Sequence, residues 1–345
     1  MIFTNIQLVK NPLISICVPT FNQEDYIHET LDSILAQLTN IHYEIIIADD
    51  CSSDNTAKIC KKYQERFPDK IKFISNEKNQ GLIVNLFDTL FSSVRGKYIA
   101  LCSGDDVWMN PKKIDIQFDI LSNNNNISAI HTGFNFFYEV SNTLKPANPW
   151  TGSLDVKHGK EAIKDVIFEN FSILPLASSI MFRKETIDRY RTKYDYLIKD
   201  KSTVGEGLIL YSFIVLDGLF KYIPDITVNY RVREKSLCHF VDKDKELLFK
   251  IKFRIYHKTL LVKTFLNDMK SIKRIHRGFL SLYLSALENK TEKTFFEQYN
   301  SYKKENYKSI PFYVNFFISN NHLNKVIFIK VASLFFSWKN RNKVR

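Results

Sequence analysis

An α/β fold on a mostly parallel sheet is predicted by three features of this 345-residue sequence. Short apolar runs alternate with amphipathic stretches of helical period, the runs end in polar clusters, and no repeat breaks the alternation. Leu13–Val18 is apolar, rich in β-branched residues and stopped by Pro19, as a buried strand should be. In the segment from Asp25 to Leu38, Ile27, Leu31, Ile34, Leu35 and Leu38 share one helical face. A second apolar run, Glu44–Ala48, ends at Asp49-Asp50, and Ser52, Ser53 and Asp54 read as the cap of a helix carrying Ile59, Tyr63 and Phe67.

The alternation continues with Ile71–Ile74 as a strand, Leu82–Val94 as a helix and Tyr98–Leu101 as a strand. Parallel strands with helical crossovers are the economical arrangement, and ligands then bind beyond the carboxyl ends of the strands. Those ends hold Thr20-Phe21-Asn22, Asp49-Asp50 and Ser103-Gly104-Asp105-Asp106. Beyond them the sequence predicts a helix from Pro111 to about Leu121, a strand near Ala129–Tyr138 and a surface loop over 141–157. A strand at Ser178–Arg183, a helix at Glu206–Leu216 and a short strand at Lys221–Ile223 follow. From about residue 236 only helical periodicity remains, so the chain reads as residues 1–235 followed by a helical region, 236–345.

The net charge is +12, and residues 241–345 hold 22 Lys/Arg against 8 Asp/Glu, leaving 27 against 29 before them. The basicity belongs to the tail. Its Phe, Ile and Leu clusters suit peripheral contact with an anionic membrane better than nucleic acid, while an ordinary helical subdomain with a solvated basic face explains it equally well. No uncharged apolar run has the length of a membrane span; Val326–Trp338 is short and contains Lys330. The N-terminus lacks the pattern of a secretory signal, and five cysteines without a CxxC pair suit free thiols in a reducing compartment. A cytoplasmic protein, held peripherally at the inner face of the cell membrane if the tail docks there, is the expectation.

Adjacent carboxylates at the end of a parallel strand suit a hard cation, Mn²⁺ or Mg²⁺, which in turn suits a diphosphate. Asp105-Asp106 and Asp49-Asp50 each also read as helix caps or turn residues. No G-x-G-x-x-G follows the first strand and no G-x-x-x-x-G-K-[ST] occurs, which argues against dinucleotide-binding and P-loop enzymes. Neither H-E-x-x-H nor zinc-type Cys/His spacing is present, and His131, beside an apolar run, reads as a structural histidine.

Several motifs then occur in a telling order: Ile14-Ser15-Ile16-Cys17-Val18-Pro19-Thr20-Phe21-Asn22, Glu44-Ile45-Ile46-Ile47-Ala48-Asp49-Asp50-Cys51-Ser52-Ser53-Asp54, Asn79-Gln80-Gly81, Asn85, and Gly96-Lys97-Tyr98-Ile99-Ala100-Leu101 leading to Gly104-Asp105-Asp106-Val107-Trp108. With them residues 13–123 resemble the inverting glycosyltransferases of family 2. The resemblance implies a GT-A type nucleotide-diphospho-sugar transferase fold, a nucleotide-sugar donor and a glycan or lipid-linked acceptor in bacterial surface glycan synthesis. It implies that Thr20, Phe21 and Glu24 line the nucleotide pocket and that Asp50 hydrogen-bonds the base. Asp105 and Asp106 would hold the cation on the donor diphosphate, and Glu206, in Gly205-Glu206-Gly207, would be the base that deprotonates the acceptor; its alternative is a helix-start residue facing the dipole. Trp108 reads as core or acceptor-side wall, and Ser178 and Ser179 as candidate acceptor contacts.

Two positions depart from the family pattern. Ser103 stands where an acidic first member of Asp-x-Asp is usual. The family's Tyr-Arg-x-His aligns with Tyr230-Arg231-Val232-Arg233, so that Arg233, which cannot ligate a cation but can face phosphate directly, replaces a histidine. These departures motivate a second reading, a sugar-nucleotide-binding or scaffold protein without full activity. A nucleotidyltransferase is disfavoured because Pro19-Thr20-Phe21-Asn22 is not a glycine-rich phosphate loop.

Overall fold

The computed structural model describes residues 11–147, 151–152, 154–169, 175–200, 203–233 and 242–306, together with 310, 311, 314 and 318. Two compact units divide the chain, Met1–Arg233 and Glu234–Arg345. In the first, nine strands form one sheet: β1 Ile14–Thr20, β2 Tyr43–Asp49, β3 Ile71–Ser75, β4 Tyr98–Leu101, β5 Val107–Trp108, β6 Ile127–Tyr138, β7 Thr143–Pro146, β8 Ile180–Arg183 and β9 Leu219–Val232. Their order is β3-β2-β1-β4-β8-β6-β9-β5, with β7 paired to β6. The block β3-β2-β1-β4 is parallel; β8 then runs antiparallel to both β4 and β6, while β6 and β9 pair in parallel.

Burial explains the central strands. All seven residues of β2 are buried, and β1 is buried apart from partly exposed Pro19, because helices cover both faces of a parallel sheet and leave no solvent side. Glu44 inside β2 is tolerated because its carboxylate accepts from Ser15 Oγ at 2.6 Å and Arg95 Nε at 2.8 Å. Arg95 backbone N–H adds a third donor at 3.1 Å. Gly96 follows because any Cβ there would meet the backbone N of Ser15 at 2.7 Å.

The helix Ile27–Leu35 buries Ile27, Thr30, Leu31 and Ile34, the spacing of one amphipathic face. The helix Gly207–Asp217 is buried on every side through Val215, as its unbroken apolar sequence demands. The surface loop expected over 141–157 is corrected in part: Thr143–Pro146 pairs antiparallel with β6, an edge strand whose four residues are all exposed. β5 has no sequence signal, being two residues long. β9 is far longer than the expected Lys221–Ile223, because pairing along β6 outweighs its polar residues.

His131 is buried in β6 with its ring 4.8 Å from Phe220 and 5.0 Å from Tyr222. Burial pushes its pKa down to about 3. The folded state therefore holds this imidazole neutral, and stability falls as pH drops from about 6.5 towards 3, by up to ~1.4 kcal/mol per pH unit. Urea unfolding of His131→Phe across pH 4–7 should show a flatter acid slope than the wild type; an equal slope would assign the acid sensitivity elsewhere.

The second unit is helical over its described residues, from Lys243–Ile251 to Glu292–Asn306. Asp242 and Asp268 cap two helices by accepting from backbone N–H groups two and three residues on. Its core holds His276, whose Nε2 lies 2.6 Å from the Tyr302 hydroxyl. Among the described residues no helix is long and apolar enough to cross a membrane. Val326–Trp338 lies outside the described residues, as does Cys238; Cys17, Cys51, Cys60 and Cys102 are free thiols.

Candidate active site

The carboxyl ends of β1 and β2 are neighbours, with Thr20 opposite Asp49 and Asp50 N–H donating to Thr20 C=O at 2.9 Å. After each strand one residue adopts a left-handed backbone, Asn22 at φ 50° and Cys51 at φ 63°. Such conformations persist where the surroundings hold them. Ser52 supplies that hold: its Oγ accepts from Asn22 N–H at 2.8 Å and donates to Asp49, while Ser53 N–H donates to Asn22 Oδ1 at 2.8 Å. Ser52 and Ser53 are thus not the expected helix cap. The cap position of the helix Thr56–Arg66 is Asn55, which makes no side-chain cap bond, while Asp54 before it accepts from Thr56 N–H at 2.9 Å.

Of the expected nucleotide residues, Phe21 is 44% exposed just past the end of β1. Thr20 is buried and donates to Gln23 Oε1 at 2.7 Å. Glu24 accepts from Asn55 N–H at 2.9 Å and from its side-chain amide at 2.7 Å, tying the two loops together. Asp50 is almost fully buried and accepts from Asn76 Nδ2 at 3.0 Å, Gln80 N–H at 2.9 Å and Gly81 N–H at 2.8 Å. Three of about four acceptor positions on its carboxylate are filled. Asp50 organises the Asn76–Gly81 loop and has capacity for one more donor.

The third strand end is the turn after β4. Gly104 N–H donates to Pro19 C=O at 3.1 Å, and a Cβ on Gly104 would lie 2.4 Å from Gln23 Oε1, so the turn rests directly on the end of β1. Within it the two carboxylates part company. Asp106 is completely buried: Oδ2 accepts from Ser178 Oγ at 2.5 Å and Oδ1 from Arg231 N–H at 3.1 Å. Burial, then the adjacent Asp105 charge, push its carboxyl well above the ordinary range. Asp105 lies at the edge, 15% exposed, with Oδ2 2.6 Å from Arg233 Nη2.

The sequence reading left Arg231 without a role and offered Arg233 a place facing phosphate; Arg231 lies in β9 and Arg233 directly follows its end. Arg231 donates through Nε to Asp105 C=O at 3.1 Å and through Nη2 to Glu29. Both guanidiniums lie over the Tyr26 ring, at 4.9 and 5.0 Å. Tyr26 in turn donates to Glu139 at 3.2 Å. Glu29, Glu139 and Tyr26 escaped the sequence reading because they come from distant segments.

Ser178 and Ser179 are corrected. Both are fully buried; Ser178 Oγ accepts from Ser103 N–H at 2.9 Å as well as donating to Asp106, and Ser179 Oγ donates to Leu176 C=O. Neither is presented to an acceptor. Trp108 is core, its Nε1 donating to Ser178 C=O at 3.0 Å. Ser178→Ala leaves Asp106 and the Ser103 amide short of a partner and should cost about 1–3 kcal/mol, read as a lowered midpoint in urea. No loss would mean that the turn relaxes to find other partners.

Glu206 stands at the start of the helix Gly207–Asp217, just after Gly205 at φ 78°. Desolvation raises its pKa. A carboxyl so placed is a stronger proton acceptor, once ionised, than one in open water.

A hard cation needs one or two carboxylates and completes its shell with phosphate oxygens and water. Asp105 meets that requirement. The expectation that Asp106 ligates as well is narrowed, since both its oxygens are engaged inside the protein. Among the described residues no group of three or more His, Cys, Asp or Glu side chains gathers as a metal site.

Phe21, Asp50 and Asp105 thus follow the carboxyl ends of the neighbouring parallel strands β1, β2 and β4, along one edge of the sheet. The family model described as Glycosyl transferase family 2 matches residues 15–187, half of the chain, and the chain belongs to that family. An uncharacterized protein of Mycobacterium tuberculosis is 44% identical over 107 residues, 31% of each chain. A Bacillus subtilis protein named for teichuronic acid biosynthesis, TuaG, is 38% identical over 101 residues, 29% of this chain and 39% of that one. The matched stretch thus spans about a third of the length of these relatives. Two solved structures share the fold at 14% identity and TM-score 0.51: S. aureus TarS 1–349 with UDP-GlcNAc, covering 87% of this chain and 93% of that one, and the mannosyltransferase PcManGT of Pyrobaculum calidifontis with GDP-Man and Mn²⁺, covering 94% and 84%. The fold is the mixed α/β sheet with flanking helices of GT-A glycosyltransferases, followed by a helical C-terminal region.

Proposed function

We propose that this glycosyltransferase moves a sugar from a nucleotide-diphosphate donor to a hydroxyl acceptor with inversion, in the synthesis of a bacterial surface glycan. The observation that carries the reading is the outward Asp105 carboxylate at the end of β4, beside the Thr20–Glu24 and Asp50 loops. Phe21 offers a face for the base, Thr20 and Glu24 frame the pocket, and Asp50 has one acceptor position left for a base N–H. Asp105 holds Mn²⁺ or Mg²⁺, which when bound offsets charge on the departing diphosphate. Glu206 takes the acceptor proton while the hydroxyl oxygen attacks the anomeric carbon opposite the leaving group.

The surface-glycan assignment is supported by the TuaG relative, and the sugar-nucleotide donor by the complexes of the two structural neighbours. The basic helical region, residues 236–345, is assigned to contact with an anionic membrane face, where a lipid-linked acceptor would be presented. Thermal-shift screening against UDP-, GDP-, CMP- and dTDP-sugars with and without Mn²⁺ tests the donor assignment. One nucleotide giving a metal-dependent rise identifies the base, because a ligand that binds only the folded state stabilises it by mass action. No rise with any donor, together with no donor hydrolysis, would favour the scaffold reading that Ser103 and Arg233 motivate.

A further inference from the structure

The two arginines that meet the Asp105-Asp106 turn differ in how they are held. Arg231 is committed to the fold: its backbone N–H bonds Asp106, its Nε bonds Asp105 C=O, its Nη2 pairs with Glu29, and its side chain is 8% exposed. Among the described residues Arg233 makes one ion pair, Nη2 to Asp105 Oδ2 at 2.6 Å, and its buried Nε has no hydrogen-bond partner there. A guanidinium presents five N–H donors in a planar fork, so this one retains most of its donor capacity. Its partner is the same carboxylate that is accessible to a cation.

Resting on the reading of Asp105 as the donor-site carboxylate, we propose that Arg233 is a diphosphate-binding residue that Asp105 holds in reserve. Without ligand the guanidinium neutralises Asp105 and keeps an edge carboxylate from standing unpaired in a partly desolvated place. A divalent cation arriving with a diphosphate competes for the same oxygen, and the displaced guanidinium turns its fork to the phosphate oxygens, a geometry it matches in two parallel N–H···O bonds. Stacking over Tyr26 keeps the group at this edge while its partner changes. Two consequences follow from the competition. A bare cation binds weakly because it must break the ion pair, and cation and diphosphate bind each better in the presence of the other.

The full chain, as wild type, Arg233→Gln and Asp105→Asn, is titrated with Mn²⁺ alone, followed by the electron paramagnetic resonance of the free ion. Inorganic pyrophosphate in Mg²⁺ buffer, followed by calorimetry, is the second probe. Arg233→Gln should bind Mn²⁺ alone about fivefold to tenfold tighter and pyrophosphate about tenfold weaker than wild type. An unchanged affinity in either titration overturns the proposal. Asp105→Asn should lose both affinities; if it binds both ligands as wild type does, the donor-site reading itself has failed. Should Arg233→Gln not fold, Arg233→Lys keeps the charge without the fork: pyrophosphate binding about threefold or more weaker supports the proposal, and wild-type affinity overturns it.

Discussion

Glu206→Gln should lower kcat by about 100- to 10,000-fold while leaving donor affinity close to that of wild type, the range a positioned general base contributes. The amide keeps the shape and cannot accept the acceptor's proton. The sign of the pH dependence follows from the raised pKa of Glu206. A base must be ionised to act, so the acid limb of the rate profile lies above the ordinary carboxylate range in the wild type and disappears from what remains in the variant. The same shift makes ionised Glu206 a cost to folding: the neutral form is favoured below the ordinary carboxylate pKa, and that advantage is lost as pH rises through the shifted value. Glu206→Gln should therefore melt at or slightly above the wild-type temperature at pH 8. A residue that serves only the helix start would behave in the opposite way, losing up to about 1 kcal/mol of stability with kcat little changed.

Asp105→Asn should abolish the Mn²⁺-dependent part of donor stabilisation and reduce turnover by about 100-fold or more, the scale on which removing one charged stabiliser of a leaving group acts. Its effect on the fold should be about 1–3 kcal/mol, because the substitution leaves the largely buried Arg233 guanidinium without its charged partner. Asp106→Asn makes the contrast. That side chain is sealed in and accepts from Ser178 and Arg231, so its replacement is expected to act on the melting temperature rather than on metal dependence. Equal metal responses in wild type and Asp105→Asn would remove Asp105 from the donor site.

The two adjacent aspartates show how far the sequence reading reaches. As neighbours at the end of a strand they look equivalent, and nothing local says which one faces outward. The turn resting on β1 decides it, together with Ser178 and Arg231, 72 and 125 residues away along the chain. Asp50 is similar: its place after β2 was legible, but its bonds to Asn76, Gln80 and Gly81 needed the loop after β3 to be brought alongside. The reading of Ser52 as a cap failed because a hydroxyl four residues before a helix has another use when a second strand end lies next to it.

By itself the sequence determined the alternation of strands and helices through Leu101, the parallel character of that block, and the three polar strand ends that bear the candidate site. These rest on hydrophobic period and on residue types at strand ends, which are local properties. Tertiary structure alone decided the antiparallel insertion of β8 between β4 and β6, the edge strand β7, and the length of β9. It alone decided, too, the division of Asp105 and Asp106 between ligand edge and interior, and the pairing of Arg233 with Asp105. All of these depend on contacts between residues far apart in the chain, where burial, charge pairing and hydrogen-bond satisfaction act on groups that no local pattern brings together.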